Sequence, residues 1–303
     1  MATAVTKSSQ SVQHEKEKRR WQLSSILGEI GKYLLLIPLA LSFIFPLYWM
    51  LISGLKDDPQ VFQVPPTLIP NPAIWSNFVE AWTILPFNTF TINTIFRYSL
   101  PVTIITVISS TVVAYGFAKV NWPGRDKLFW VVLATMMLPW AVKMVPLFLT
   151  FKTFGWLDTY RPWTVPALFG SPYFIFLLRQ FFRTIPEDLS EAARIDGASE
   201  LTILFRILLP LARPALAVVA LFTFMGTWND YLGPKIFLQH EENFPLALGI
   251  ELLDNMSNSV GNTPNAIPYL MAASSVVTLP MVLLFFFAQR TFIEGISLTG
   301  TKG

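Results

Sequence analysis

Long uncharged runs alternate along this chain with short polar segments. A helix needs about 20 residues to cross roughly 30 Å of hydrocarbon at about 1.5 Å per residue. Six runs approach that length, at residues 34–55, 99–118, 128–151, 162–178, 211–232 and 266–288, and they predict six transmembrane helices. The runs are continuous rather than alternating, which argues against a closed β-barrel. The expected fold class is therefore an all-α integral membrane protein. Lys143 is the one charge in the third run, and Arg213 opens the fifth. Pro139, Pro146 and Pro280 fall inside runs; they kink helices whose freed carbonyls neighbouring helices can satisfy.

Composition agrees with the pattern. The chain has 303 residues, 53% hydrophobic and 14% charged, with a mean hydropathy of +0.50. Soluble domains carry about a quarter charged residues. A net charge of +3 gives no reason to expect nucleic acid. There is no cysteine, so disulfides and thiolate metal sites are excluded. His14 and His240 lie far apart in polar segments and read as surface side chains. No metal site and no catalytic residue are expected.

Lysine and arginine set the expected orientation. With the N-terminus inside, 16 of the 22 basic residues fall on the inner side, a strong positive-inside bias. Both termini are then cytosolic. Residues 1–25 form a basic tail, 26–290 the six-helix domain, and 291–303 a C-terminal tail. The run after the basic tail is too long for a cleaved signal peptide. The outer segments 56–92 and 233–265 are expected to form a lid or a docking surface. Trp75 and Trp82 in the first of them suit interface anchoring.

One inner segment, 184–210, breaks the apolar pattern. Thr184 and Glu187 match a capping box, with Pro186 in the first turn. A short helix over 185–196 is expected. Gly197 suits the left-handed residue that ends a helix, and Ser199 can cap a second helix running to Pro210. Ile185, Leu189, Ala192 and Ala193 recur at helical spacing as an apolar stripe flanked by Glu191 and Arg194. Such a bent knob fits docking into a groove of a partner. It fits an ordinary surface loop as well.

The segment Glu191–Pro210 resembles the EAA motif of binding-protein-dependent ABC importers, matching at Glu191, Ala192, Ala193, Asp196, Gly197, Ala198, Leu209 and Pro210. Further stretches resemble carbohydrate-uptake permeases of the maltose-transporter type. These begin at Tyr115, Pro123, Gly155, Phe176 and Trp228, and the tail from Gln289 belongs with them. The resemblance implies a type I ABC importer permease fold with cytoplasmic coupling helices, in a bacterial inner membrane. It implies a second permease subunit, an ATPase dimer, an extracytoplasmic solute-binding protein and a sugar or oligosaccharide as partners. ATP and Mg would be bound by the partner ATPase, and this chain would hold no cofactor. Glu191, Ala192, Ala193, Arg194, Asp196, Gly197, Ala198 and Pro210 would couple to that ATPase. Arg290, Phe292 and Gly295 would reach the ATPase dimer from the C-terminal tail. Consistently, the sequence has no G-x-x-x-x-G-K-[S/T] loop to cradle phosphates.

Trp228, Asn229, Asp230 and Tyr231 stand near the outer end of the fifth run. They either contact the solute by stacking and hydrogen bonding or brace an outer gate. Lys143 either meets an anionic solute or snorkels to the surface. The competing functions are an ion-coupled secondary transporter and an ABC permease for a non-sugar solute. A membrane enzyme would need converging acids, histidines or a nucleophile, and the sequence offers none.

Overall fold

The computed structural model describes residues 29–258 and 264–300, with side chains at 29–257 and 264–289. Helix α1 (Glu29–Gly54) is apolar and almost bare, with only 6% of its most apolar window covered by the rest of the chain. A surface of Leu35, Phe43 and Ile44 is left for lipid or another subunit. After the short helix α2 (Ser76–Thr83) comes α3 (Phe87–Ala118), the best-covered span. It contains a π-helical stretch, Asn93–Ser99. There the buried Asn93 side chain donates to the carbonyls of Glu242 and Phe244 at 2.8 and 3.0 Å.

The third expected span is a bent pair rather than one rod. Helix α4 (Arg125–Thr135) and helix α5 (Trp140–Thr153) meet at 96°. Pro139, with ψ 146°, has no N–H to continue the ladder and pushes its predecessor out of the helical region. The fourth run becomes α6 (Arg161–Ala167) and α7 (Pro172–Thr184). Two short helices follow, α8 (Glu187–Ile195) and α9 (Glu200–Leu211). The fifth span, α10 (Arg213–Trp228), turns 83° from α9. Prolines at 210 and 214 flank that corner, where Ala212 leaves the helical region at ψ 5°. Helices α11 (Leu232–Phe237) and α12 (Leu246–Asn258) follow before α13 (Ala266–Gly300). Among the described residues four helices are long and apolar enough to span, and the number reaches six where each bent pair counts as one span.

Among the described residues three apolar clusters hold the helices together, the third formed by Tyr98, Val102, Tyr160 and Leu238. The first joins α3, α7, α9 and α10 through Phe117, Leu178, Phe182, Leu204 and Val219. The second, toward the other end of α3, joins α2, α12 and α13 through Phe87, Phe90, Leu253 and Ala272. Where α1 crosses α13, Gly54 is indispensable to the approach. A Cβ there would stand 2.9 Å from the Ala272 Cα and backbone nitrogen.

Candidate functional site: a braced knob and an outer cavity

The knob is α8, a turn, and α9. The turn follows local chemistry. Gly197 has φ +82° and its N–H bonds the Arg194 carbonyl, while Ala198 N–H bonds the Ala193 carbonyl. Ser199 Oγ accepts from Thr202 N at 3.3 Å and opens α9. The expected capping box does not form. Thr184 Oγ1 turns back to the Phe181 carbonyl at 2.7 Å, and α8 starts after Pro186 without a side-chain cap. Glu187 is drawn elsewhere by two cations, which a local signature cannot register.

Those cations brace the knob against α3. Lys119, buried at the end of α3, donates to the Ile185 carbonyl and to Glu187 Oε2, both at 2.8 Å. Arg194 Nε donates to Glu200 Oε1 at 2.8 Å, and its other nitrogens reach Glu187 Oε1 and the Lys119 carbonyl, each at 3.3 Å. Tyr115, one turn inside Lys119, donates its hydroxyl to Glu200. Partial burial works against the Glu187 charge, but the Lys119 and Arg194 hydrogen bonds outweigh it and hold this carboxyl below the usual range. Glu200 and Glu187 in turn keep Arg194 charged, raising its pKa.

This bracket redistributes the residues of the expected stripe. Ile185 and Ala193 face inward and are buried, whereas Leu189 and Ala192 face out. Arg194 is engaged within the chain rather than left for a partner. Glu191 and Asp196 are exposed, with no side-chain partner among the described residues. Ile195 is 86% exposed, and Leu201 and Phe205 of α9 extend the apolar surface beside it. Pro210 lies in the last turn of α9, at the corner into α10. Arg290, Phe292 and Gly295 lie outside the residues whose side chains are described, although the α13 helix continues through them. Sequence reasoning assigned no role to Lys119, Tyr115, Glu187 or Glu200 in this bracket. Lys119 counted as an inner-side charge and as the last residue of the stretch that begins at Tyr115, and its signal was its place directly after an uncharged run.

At the other end of α10 the four expected residues divide. Asp230 is a brace: it accepts from Tyr98 of α3 and, at 3.1 Å, from Gly233 N at the head of α11. Trp228 is 6% exposed and packs on Phe224 with 5.8 Å between ring centroids. Trp228, Asn229 and Tyr231 border an open cavity of about 680 Å³ among α1, α10, α12 and α13. Glu251, Asp254, Ser274 and Thr278 line it as well. Lys143 of α5 is not part of this wall.

The chain as a whole is similar to known proteins. A family model described as a binding-protein-dependent transport system inner membrane component matches residues 106–297. The sn-glycerol-3-phosphate transport system permease protein UgpE of Yersinia enterocolitica serotype O:8 / biotype 1B is 34% identical over 274 residues, covering 88% of this chain and 95% of that protein. The arabinooligosaccharides transport system permease protein AraQ of Bacillus subtilis strain 168 is 32% identical over 279 residues, covering 90% and 96%. Among solved structures, a chain of a bacterial ABC transporter involved in the import of the acidic polysaccharide alginate is similar. It superposes with a TM-score of 0.75 at 25% identity, covering 88% of this chain and 97% of that one.

Proposed function

Because this chain belongs to the binding-protein-dependent transport system inner membrane components, we propose that it is the permease subunit through which a separate ATPase drives import of a sugar or oligosaccharide. The ion-coupled alternative has no support among the relatives. The named solutes of those relatives and of the structural neighbour favour carbohydrates and polyol derivatives.

The observation that carries the coupling reading is the double attachment of the knob. Glu191, Ala192 and Ile195 offer an exposed surface to a partner. Behind them Lys119, Tyr115 and Arg194 tie α8 and α9 to the end of α3. Through α9 the knob also runs directly into α10. Force applied to α8 therefore reaches two spans without a flexible link. Nucleotide closure in the ATPase does work on these spans if it grips the knob differently in its two states. Ala198, Gly197 and Asp196 set the bend that presents the grip, and Pro210 sets the corner behind it. The C-terminal residues Arg290, Phe292 and Gly295 are a second contact with the ATPase dimer. In this reading both termini are cytosolic, ATP and Mg belong to the ATPase, and a second permease completes the membrane pathway. A solute-binding protein docks on the opposite, outer face.

The test is reconstitution of this chain with its partner permease, ATPase and binding protein in liposomes. ATP-dependent solute uptake and a cross-link from a cysteine at Glu191 to the ATPase are expected. Uptake that ignores ATP and collapses with an ion uncoupler, or a cross-link only to outer-face proteins, overturns the reading.

A further inference from the structure

We propose that the outer cavity selects a neutral, hydroxyl-rich solute and rejects anions such as phosphorylated sugars and uronates. This rests on the import reading above and names the charge class of its solute.

The first argument is charge. The charged residues bordering the cavity are the carboxylates Glu251 and Asp254. The nearby cation, Lys235, is already committed: its Nζ donates to Glu251 and to the Tyr231 hydroxyl. That pair is neutral, and Asp254 has no side-chain partner among the described residues, so the wall keeps a net negative charge. The sequence removes another source of rescue. From position 236 to 289 the chain carries no lysine or arginine, so α12, the segment after it and α13 as far as Gln289 supply no counter-ion. A phosphate or carboxylate solute needs such a partner, preferably a charge-assisted donor, and would meet like charge here.

The second argument is donor and acceptor chemistry. The Asn229 amide nitrogen donates to the Met225 carbonyl at 2.8 Å, so a donor is used within the chain while the amide oxygen remains an acceptor. Glu251 and Asp254, when ionised, only accept. Ser274 and Thr278 add hydroxyls that serve either way. A wall rich in acceptors is satisfied by a ligand rich in O–H donors and is left unmatched by the acceptor-only oxygens of phosphate.

The experiment uses the complete permease–ATPase complex in nanodiscs without binding protein. Its probes are arabinotriose, maltotriose, sn-glycerol 3-phosphate and a mannuronate trisaccharide, titrated by calorimetry. At least one neutral trisaccharide is expected to bind ten-fold or more tightly than either anion. An Asp254→Lys complex is expected to gain ten-fold or more in anion affinity. An anion that binds the unaltered complex as well as the neutral sugars overturns the proposal. So does an Asp254→Lys complex whose anion affinity is unchanged, since selection then lies elsewhere. If the full system with binding protein imports an anion in preference to the neutral sugars, the importer reading stands and this inference alone falls. If no ATP-dependent uptake of any probe occurs, the importer reading fails and takes this inference with it.

Discussion

Arg194 and Glu200 are joined at 2.8 Å across the Gly197 bend, so the two limbs of the knob are clamped to each other as well as to α3. Three residues earlier Glu191 points to solvent without a partner among the described residues. The two charges of the same helix therefore have separable roles. Arg194→Ala removes two half-exposed ion pairs, each worth roughly 0.2–1 kcal/mol, and unties the Lys119 carbonyl. We expect a stability loss of about 1 kcal/mol together with weaker coupling of ATP hydrolysis to uptake. Glu191→Gln should leave the melting temperature unchanged and lower coupled ATPase activity several-fold. Thermal unfolding and solute-stimulated ATPase assays on both complexes decide this. Equal stability losses in both would erase the distinction.

Gly197 separates backbone need from steric need. Its φ of +82° disfavours side chains with a Cβ, yet a Cβ placed there meets nothing within 4 Å of the chain itself. Gly197→Ala should therefore destabilise the subunit by about 1–2 kcal/mol through conformation alone. Gly197→Asn should be milder, since asparagine visits this region more readily. If an ATPase groove lies over the turn, both variants lose transport beyond what their stability explains. Uptake at the native rate by Gly197→Asn would mean that the turn is not gripped.

What the sequence disclosed follows the range of the physics. An uncharged run of about 20 residues declares a span by itself, and Gly197 and Ser199 declare a turn through neighbours a few residues away. Where a helix points is a different matter. Leu189, Ala192 and Ala193 lie on a short helix whose apolar positions allow more than one rotation. The rotation adopted is set by Lys119, which is 68 positions from Glu187. The same holds for Thr184 and Glu187, a valid local cap overruled by distant cations. The break at Pro139 was legible as a kink, but its size of 96° depends on packing that no local pattern encodes. At the outer end, Asp230 and Asn229 are adjacent in sequence yet separate into brace and cavity wall, because Tyr98 of α3 claims only Asp230.

The crossing of α1 over α13 depends on one missing methyl group. Gly54→Ala places a Cβ at 2.9 Å from backbone atoms of Ala272, which cannot rotate away as a flexible side chain can. Overpacking of this kind costs about 1–3 kcal/mol. We expect a lower melting temperature of the complex, and greater protease access to the segment joining α1 to α2. Gly31→Ala is the control, because a Cβ there has nothing within 4 Å. Equal effects of the two changes would show that the close approach at Gly54 is unimportant.

The segment between α5 and α6 and the residues after α11 form a pH-dependent latch. Asp158, between α5 and α6, accepts Gln239 N and His240 N at 2.9 and 3.0 Å, His240 Nδ1 at 2.6 Å and Asn243 Nδ2 at 3.1 Å. Burial opposes the Asp158 charge, but these donors outweigh it and lower its pKa to about 2. His240 is raised above its ordinary value, first by its hydrogen bond to Asp158 and then by that carboxylate's charge, with Glu242 adding to the effect. The signs are opposite. The Asp158 contribution is complete above its ordinary carboxyl pKa and is lost as pH falls toward about 2. The His240 contribution is complete below the ordinary histidine pKa and is lost as pH rises through the elevated value. Between these limits both halves hold, so residues 238–243 should exchange amide hydrogen most slowly in mildly acid solution and faster above neutrality, after correction for intrinsic rates. His240→Ala should abolish the acceleration on the alkaline side. Asp158→Asn should speed exchange across the whole range, because it weakens the acceptor shared by Gln239, His240 and Asn243. Hydrogen-exchange mass spectrometry of the reconstituted complex checks both, and a flat pH profile in the unaltered protein would dispose of the latch.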